Sequence, residues 1–495
     1  MNGRAHLERE LKLAVPNGFS LARLPRELNG YIASPASFLR LHTVYYDSSD
    51  LRLTRWGCSL RFRHGEGWTL KIPVLDTRNG DELSRMEHVY ASDEDRVPTE
   101  AIELASAFLR GAPVTRVAEL RTVRVKRTFA WGDTPVADVV EDDVRVVDGT
   151  HVAQRFEQLE VELKEDGDLR ALDSIAHVLQ DRGAGGPDHD TKNVKALGAL
   201  SAPEVTVPAL DADATIGEVV RAALGSALVQ YMHSEPLLRT GNDIEAVHKA
   251  RVAVRKLRSH LHAFAPVLDE AWALGLRERL RGLQDVLAPV RDADVFSERM
   301  AALAQRLPHP DLPAATEIID SLRAAMQQHH DRLRLYLRDR TYLQLLDAVV
   351  EGVRSPRLRS DGSDPASRSI DAIMQRVFKA VRKRVRKAGP QPSDRALHCI
   401  RIKAKHLRYA AESFCEVAGA AAASFASRVE ALQELLGTQH DGVVAVTRLR
   451  AFSGSPQARF AAGELAMLAL EDGARACDEW ARCWHSLAKK RRRFW

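Results

Sequence analysis

The spacing of apolar residues changes once along this chain of 495 residues, and the change limits what it can fold into. Up to about residue 180, short alternating or β-branched runs predict many consecutive strands, with 135–139 and 143–147 as separate strands. Later apolar residues recur with a period of 3.6, and Thr215 and Glu218 form a capping box. We therefore expect an α+β protein of two domains: a closed antiparallel sheet or a sandwich, followed by an all-α domain.

The boundary between the two parts is a stretch of small and acidic residues with two prolines, residues 201–214. The chain is too long for one core, because domains usually run about 100–200 residues. We expect a strand-rich domain over 1–200, a linker over 201–214 and a helical domain over 215–490. No apolar run reaches about 18 residues, which predicts no membrane helix. Five scattered cysteines indicate reduced thiols in a cytoplasmic protein.

The helical part contains an internal duplication. Residues 247–258 match residues 397–408 at an offset of 150, and residues 283–292 match 432–441 at an offset of 149. Repeated segments of this kind indicate repeated structural units. We expect two related helical bundles in tandem, over about 215–340 and 368–486.

Charge is distributed unevenly between the two parts. The net charge is +5, yet residues 1–200 hold 27 Lys and Arg against 32 Asp and Glu, whereas residues 201–495 hold 45 against 35. The helical part is therefore the one expected to attract polyanions.

Charged residues share strand faces in the first part. Because side chains alternate along a strand, Glu8, Glu10 and Lys12 lie on one face, and residues 160–164 repeat this arrangement. Further cations on predicted strands are Arg61, Arg63, Lys71, Arg124 and Lys126. For each residue a surface salt bridge is the alternative. Lining one barrel interior, these residues would bind a polyphosphate together with divalent cations.

These motifs resemble the CYTH domains, also called triphosphate tunnel metalloenzymes. The resemblance rests on the Glu-x-Glu-x-Lys at residues 8–12, the segments 42–51, 57–63 and 68–71, and the late Glu-x-Glu at 160–162. It covers roughly residues 1–200. It implies an eight-stranded antiparallel tunnel that hydrolyses a triphosphate with Mg²⁺ or Mn²⁺.

The resemblance also implies roles for individual residues. The metal ligands would be Glu8, Glu10, Glu160 and Glu162. The phosphate ligands would be Lys12, Arg61, Arg63, Lys71, Arg85 and Arg124, with a late lysine that is either Lys192 or Lys195. Arg40 and Lys126 are further candidates on charge and position.

Basic stripes follow three predicted helices of the second part. They are His248, Arg251, Arg255 and Arg258; their counterparts His398, Arg401, Lys405 and Arg408; and Arg376, Lys379, Lys383 and Arg386. A basic stripe is usually a solvated face. We interpret these as polyanion-binding, because they recur in both repeats and we expect no carboxylate at i+4.

The duplication, the His-x-x-Arg pattern and the Leu-Gln segments resemble the CHAD domain over roughly residues 215–490. This resemblance implies binding of long-chain polyphosphate, including at polyphosphate granules. We expect His248 and His398 to contact phosphate and not to ligate a metal, because arginines surround them. Nucleic-acid binding is disfavoured, because only 6% of residues are aromatic and could stack on bases.

The leading hypothesis is a cytoplasmic, bacterial protein in which a metal-dependent inorganic triphosphatase is fused to a polyphosphate-binding domain. One alternative is a class IV-type adenylate cyclase, which would use the same metal and phosphate ligands. Another is a non-catalytic protein that only binds polyphosphate or targets granules.

Overall fold

The computed structural model describes residues 4–74, 82–93, 96–164, 167–241, 243–360 and 362–495. The chain divides into two compact units, Met1–Glu204 and Val205–Trp495. No helix within these described ranges is long and apolar enough to cross a membrane.

The first unit is built on one antiparallel sheet that closes on itself. Its described strands are β1 (Arg4–Leu13), β2 (Glu27–Leu28), β3 (Tyr31–Ala33), β4 (Ser37–Asp47), β5 (Ser59–Arg63), β6 (Gly67–Pro73), β7 (Glu82–Tyr90), β8 (Thr115–Trp131), β9 (Thr134–Asp148) and β10 (His151–Leu163). Around the ring the order is β1, β10, β9, β8, β4, β5, β6, β7 and back to β1, while β2 and β3 extend from β8. The expected eight-stranded antiparallel tunnel is confirmed.

The larger apolar cluster of this unit lies outside the barrel wall. In β1 and β10, the alternate residues Leu11, Leu13, Leu159 and Val161 point outward and pack against helix α4 (Leu169–Asp181). Alternation then turns the charged residues between them to the barrel interior. β1 and β10 therefore bury apolar side chains outside and charged side chains inside, while Tyr45, Leu120, Val144 and Val146 form a smaller apolar cluster on the inner face.

Short helices surround the barrel: α1 (Arg52–Arg55), α2 (Thr99–Leu104), α3 (Ser106–Leu109) and α5 (Lys192–Leu197). Glu204, from the segment expected to be a linker, is buried in this unit. Its carboxylate accepts hydrogen bonds from Trp56 Nε1 at 2.6 Å and Arg110 Nη2 at 2.7 Å. The connection between the units therefore begins after Glu204.

The second unit is all-α, as expected. Its helices in the described ranges are α6 (Ile216–Thr240), α7 (Ile244–Ala263), α8 (Glu270–Ala304), α9 (Leu312–Arg338), α10 (Arg340–Arg354), α11 (Ala366–Ala388), α12 (Asp394–Glu412), α13 (Cys415–Arg450) and α14 (Pro456–Leu487). The capping box at the start of α6 is present: Thr215 N donates to Glu218 Oε2 at 2.8 Å, and Glu218 N donates to Thr215 Oγ1 at 3.3 Å. Helix α13 is interrupted at Gly419, where φ is +59°.

The duplication is visible where α7 packs on α12, the equivalent helices of the two repeats. Ser259 and Tyr409 are equivalent at the offset of 150, and both lie at this crossing. His406 Nδ1 is 2.8 Å from Ser259 Oγ, and Arg255 Nε donates to the Tyr409 hydroxyl at 2.9 Å. The equivalent Phe264 and Phe414 contact each other, with ring centroids 6.0 Å apart. The crossing thus relates the two repeats by an approximate two-fold axis.

Candidate functional site

Cations and carboxylates line the barrel interior in similar numbers. Directly opposed residues on paired strands point to the same face, so the strand register identifies the inward set. Together with Lys192 from α5, these charged residues are Glu8, Glu10, Lys12, Arg61, Arg63, Lys71, Arg85, Glu87, Arg124, Lys126, Asp138, Asp142, Glu160 and Glu162. We call this set the tunnel cluster.

The Glu-x-Glu-x-Lys strand forms the first part of an ion-pair network. Lys12 Nζ pairs with Glu10 and lies 3.5 Å from Glu160 Oε1. Arg85 Nη2 pairs with Glu10 and lies 3.6 Å from Glu8 Oε2. Each of these charged groups is buried and is compensated by its neighbours.

Two further parts of the network lie on neighbouring strands. Lys71 Nζ pairs with Glu8 and lies 3.0 Å from Glu87 Oε2. Asp142, which is 0% exposed, accepts two hydrogen bonds from Arg124, at 2.8 and 2.7 Å. The carboxylates are therefore held by cations from several different strands.

Lys192 completes the network from α5. Its Nζ lies 2.6 Å from Glu160 Oε2 and 2.9 Å from Asp142 Oδ2. Burial acts to raise the pKa of Glu160, but Lys192, Lys12 and Arg124 hold it well below the usual range. Glu160 is therefore ionised despite its burial.

Glu162 has a different environment. Burial and the charges of Glu8, Glu10 and Glu160 raise its pKa. It lies directly opposite Glu10 across β1 and β10, and like charges in opposed positions destabilise a sheet. In the described part of the chain, no cationic side chain lies within 4.0 Å of Glu162, and the buried Glu8 Oε2 accepts no hydrogen bond. A divalent cation bound here would relieve this repulsion.

The donor set therefore fits a hard divalent cation, which prefers carboxylate oxygens. Among the described residues, no group of three or more His, Cys, Asp or Glu side chains is arranged to hold a metal ion. The reason is visible in the geometry, because Glu8, Glu10 and Glu160 are paired with Lys and Arg side chains. Metal binding requires these carboxylates to exchange partners.

The free space inside the tunnel is small. A cavity of about 30 Å³ lies between residues that include Glu10, Lys12, Arg61, Lys71 and Lys192. This volume holds about two water molecules at most. A phosphate chain placed in this cavity would have to displace ion pairs around it.

Two of the predicted residues lie away from the tunnel cluster. Lys195 pairs with Asp188, and its Nζ lies 5.6 Å from the centroid of the Phe156 ring. Arg40 lies on the outer face of β4, opposite Val123. The late lysine of the tunnel is therefore Lys192.

Sequence reasoning missed Glu87 and Asp142. The prediction of separate strands over 135–139 and 143–147 is wrong, because β9 runs without interruption from Thr134 to Asp148. On one continuous strand, side-chain alternation would have predicted that Asp138 and Asp142 lie on the same face of β9. The pairing of Glu87 with Lys71 depends on the register between β6 and β7, which the sequence does not show.

The second unit contains a groove of about 850 Å³ between α7, α8, α12 and α13. Ten arginine and lysine side chains line it, against three aspartates and four histidines: Arg251, Arg255, Arg258, Arg277, Arg281, Arg291, Arg299, Arg401, Lys405 and Arg448; Asp285, Asp292 and Asp441; His248, His398, His406 and His440. Unlike the tunnel, the groove has a large excess of cations.

Seven predicted polyanion ligands line this groove: His248, Arg251, Arg255, Arg258, His398, Arg401 and Lys405. The stripe on α11, which is Arg376, Lys379, Lys383 and Arg386, is exposed and does not line it. Sequence reasoning missed the α8 and α13 contributions, such as Arg291 and His440, because they belong to no stripe.

Arg408 also lies outside the groove lining. Its Nε lies 2.6 Å from Glu412 Oε1 and its Nη2 lies 2.7 Å from Glu430 Oε1. The expectation that no carboxylate occupies i+4 is therefore wrong at Arg408, since Glu412 is at that position.

The groove holds cations at close range with too few anions to neutralise them, although Arg251 pairs with Asp292 at 2.8 Å. Burial, together with Arg255, Arg401 and Arg251, lowers the pKa of Lys405 to about 6. The buried Nε–H groups of Arg258, Arg291 and Arg401 find no acceptor in the part of the chain that the structure describes. Buried donors without acceptors are costly, so this groove is suited to a ligand rich in anionic oxygens.

Two family models match the chain, a CYTH domain at residues 6–191 and a CHAD domain at residues 222–450. An uncharacterized protein of Mycobacterium tuberculosis is 31% identical over 436 residues, which are 82% of this chain and 80% of that relative. The chain therefore belongs to the family of proteins in which a CYTH domain is followed by a CHAD domain. CYTH tunnel metalloenzymes bind triphosphates and use divalent metal ions.

Solved structures resemble each unit separately. The CHAD domain from the plant Ricinus communis is 27% identical with a TM-score of 0.47, covering 58% of this chain and 96% of that chain. A Hippeastrum protein, described as having a dominant triphosphatase activity, is 14% identical with a TM-score of 0.24, covering 38% of this chain and 94% of that chain.

The Asp142→Ala variant tests whether the tunnel depends on its ion pairs. It leaves Arg124 and Lys192 buried with Glu160 as their remaining carboxylate partner, so the free energy of unfolding should fall by about 3–5 kcal/mol in chemical denaturation. Asp143→Ala is the control, because Asp143 pairs on the outer surface with Arg155, which is about 58% exposed, and should cost about 0–1 kcal/mol. Equal losses in the two variants would contradict this account.

Proposed function

We propose that the first unit is a divalent-metal-dependent triphosphatase and that the second unit binds long-chain polyphosphate. The observation that carries the first proposal is the tunnel cluster, where inward cations from several strands surround an opposed pair of carboxylates, Glu10 and Glu162. Cations of this kind neutralise phosphoryl oxygens, and carboxylates hold Mg²⁺ or Mn²⁺.

The tunnel residues would exchange partners when the substrate enters. In the free protein Lys12, Lys71 and Arg85 are paired with glutamates. The phosphate oxygens would replace those glutamates as the partners of the three cations. The released carboxylates of Glu8 and Glu10, with Glu160 and Glu162, are then free to hold the metal ions. Binding of the triphosphate and of the metal are therefore mutually dependent.

The remaining cations would hold the phosphate chain during hydrolysis. When bound, divalent cations polarise phosphoryl oxygens and promote attack by water at phosphorus. Arg61 on β5 and Arg124 on β8 both face the tunnel interior, and their guanidinium groups would stabilise the charge of the transition state. The buried Nε–H groups of Arg61 and Arg85 donate to no acceptor among the described residues and are available to oxygens of the substrate.

The Glu10→Gln variant tests the triphosphatase proposal. It removes a charged metal ligand while side-chain volume is kept, so phosphate release from tripolyphosphate with Mn²⁺ or Mg²⁺ should fall by about a hundredfold or more. Glu157→Gln is the matched control, because Glu157 is an exposed residue of the late strand β10 and should retain full activity. The product is measured by phosphate release.

Three outcomes decide between the functions. Phosphate release that depends on metal and on Glu10 supports the proposal. Conversion of ATP to cyclic AMP and pyrophosphate, without phosphate release from tripolyphosphate, would instead assign an adenylate cyclase. If no triphosphate is turned over, the protein would be assigned as a non-catalytic polyphosphate-binding protein.

The polyphosphate proposal rests on the excess of cations in the groove. Polyphosphate supplies closely spaced anionic oxygens along a flexible chain, which matches the buried donors of Arg258, Arg291 and Arg401. His248 and His398 lie in the same groove and would contact phosphate beside these arginines. Such binding would direct the protein to polyphosphate granules.

Binding to the groove should depend on pH through Lys405. Its pKa in the free protein is about 6, so it is mostly neutral at pH 7.5, and a bound polyanion raises that pKa by favouring the charged form. Binding therefore takes up a proton, and affinity should rise as pH falls from about 8 to about 6, by at most about tenfold per unit for one proton. Calorimetric titration with long-chain polyphosphate in chelator measures this.

The Lys405→Arg variant is the control for that pH dependence. Arginine stays protonated throughout this range, so the variant should bind polyphosphate with a clearly weaker dependence on pH. A wild-type affinity that ignores pH between about 6 and 8, or an unchanged pH dependence in the variant, would contradict the assignment to Lys405.

A further inference from the structure

The two ends of the groove are built from equivalent residues of the two repeats, yet they differ in charge. Arg258 and Arg408 are equivalent at the offset of 150. Arg258 lines the groove, and its Nη1 donates to Gln284 Oε1 at 2.5 Å. Arg408 is instead turned to the carboxylates of Glu412 and Glu430.

The residues that neutralise Arg408 are cations or a histidine in the first repeat. Glu412 is equivalent to His262 at the offset of 150, and Glu430 is equivalent to Arg281 at the offset of 149. The groove follows α8 as far as Arg281 and Arg277, whereas on α13 its lining ends at Gln433. The duplication has therefore produced one cationic end and one end closed by carboxylates.

The cationic end continues beyond the groove. Arg376 Nη1 donates to the carbonyl oxygen of His262 at the end of α7, and the His262 and His406 rings are 5.2 Å apart. Besides burial, the charges of Arg258 and Arg376 lower the pKa of Arg277. The pKa of Lys403 is likewise lowered, first by burial and then by the charges of Arg384, Arg277 and Arg376.

Few anions compensate the cations at this end of the groove, which are Arg258, Arg277, Arg376 and Lys403. Within the described ranges, Arg277, Arg376 and Lys403 make no ion pair, and the buried Nε–H of Arg277 has no acceptor. The carboxylates that face the cluster are Asp285, Glu270 and Glu278, and Glu278 lies 2.9 Å from Arg281 on the exposed surface.

Arg376 is also the first residue of the exposed stripe on α11. Lys379, Lys383 and Arg386 follow it at i+3, i+7 and i+10, so they lie on the same side of the helix. The stripe advances about 15 Å along the helix axis, at about 1.5 Å per residue. The basic surface therefore runs from Arg258 in the groove, past Arg277, to the far end of α11.

We propose that a linear polyphosphate leaves the groove at the Arg258 end only and continues over Arg277 and Arg376 along the α11 stripe. This inference rests on the proposed polyphosphate binding in the groove. At the equivalent place in the second repeat, Glu412 and Glu430 neutralise Arg408 and would repel the polymer. Short chains fill the groove alone, whereas long chains gain additional contacts on α11.

The test compares chain lengths in the full-length protein, with chelator present so that no metal-dependent turnover occurs. The exit variant is Arg376→Ala with Lys379→Ala and Lys383→Ala, three exposed positions. It should lose about fivefold or more in affinity for long-chain polyphosphate and less than about twofold for short-chain polyphosphate. Its salt slope for long chains should flatten by about 0.7 per lost phosphate contact, the value for single-stranded nucleic acids.

Arg408→Ala is the matched control, because Arg408 is the counterpart of Arg258 at the closed end. It should change the affinity for either chain length by less than about twofold, as expected for a cation already neutralised by two glutamates. Arg251→Ala with Arg401→Ala tests the groove itself and should weaken binding of both chain lengths.

The outcomes separate the two proposals. Full long-chain affinity in the exit variant, or equal losses for short and long chains, would overturn the one-sided path while leaving the groove in place. Unchanged short-chain binding in the Arg251→Ala, Arg401→Ala variant would refute polyphosphate binding in the groove. An exit variant that loses affinity only for single-stranded RNA would assign the α11 stripe to nucleic acid and refute the polyphosphate path.

Discussion

The pairing of buried carboxylates with buried cations inside the barrel is the interaction on which the first unit depends. Burying an isolated charge costs several kcal/mol, so the inward residues can be tolerated only as partners of one another. Asp142 between Arg124 and Lys192 shows this most clearly. Because charges occupy much of the interior, the larger apolar cluster forms outside the wall, where α4 covers β1 and β10.

The charge balance of the second unit is the opposite of that in the first. Its groove has an excess of cations, and the pKa of Lys405 is lowered by burial and by the neighbouring arginines. The cations and carboxylates of the tunnel are paired with one another, so a ligand must displace internal partners, whereas ten cations line the groove against three aspartates. A substrate with metal ions suits the first site, and a polyanion alone suits the second.

Much of this arrangement could be predicted from the sequence, because Glu8, Glu10 and Lys12 alternate on one strand and the helical stripes repeat. What could not be predicted depends on pairing between distant segments. Glu87 joins the tunnel only through the register of β7, and Arg408 is neutralised by Glu430, which lies 22 residues further along the chain on another helix. A single helix or strand does not display such partners.

The central claim is that the tunnel carboxylates exchange Lys and Arg partners for metal when a triphosphate enters. Anomalous scattering from Mn²⁺, in crystals soaked with a non-hydrolysable triphosphate, tests it most directly. The account predicts Mn²⁺ bound by Glu10 and Glu162, with Lys12 and Arg85 turned to phosphate oxygens. Mn²⁺ bound elsewhere, with Glu10 still paired to Lys12 and Arg85, would contradict it.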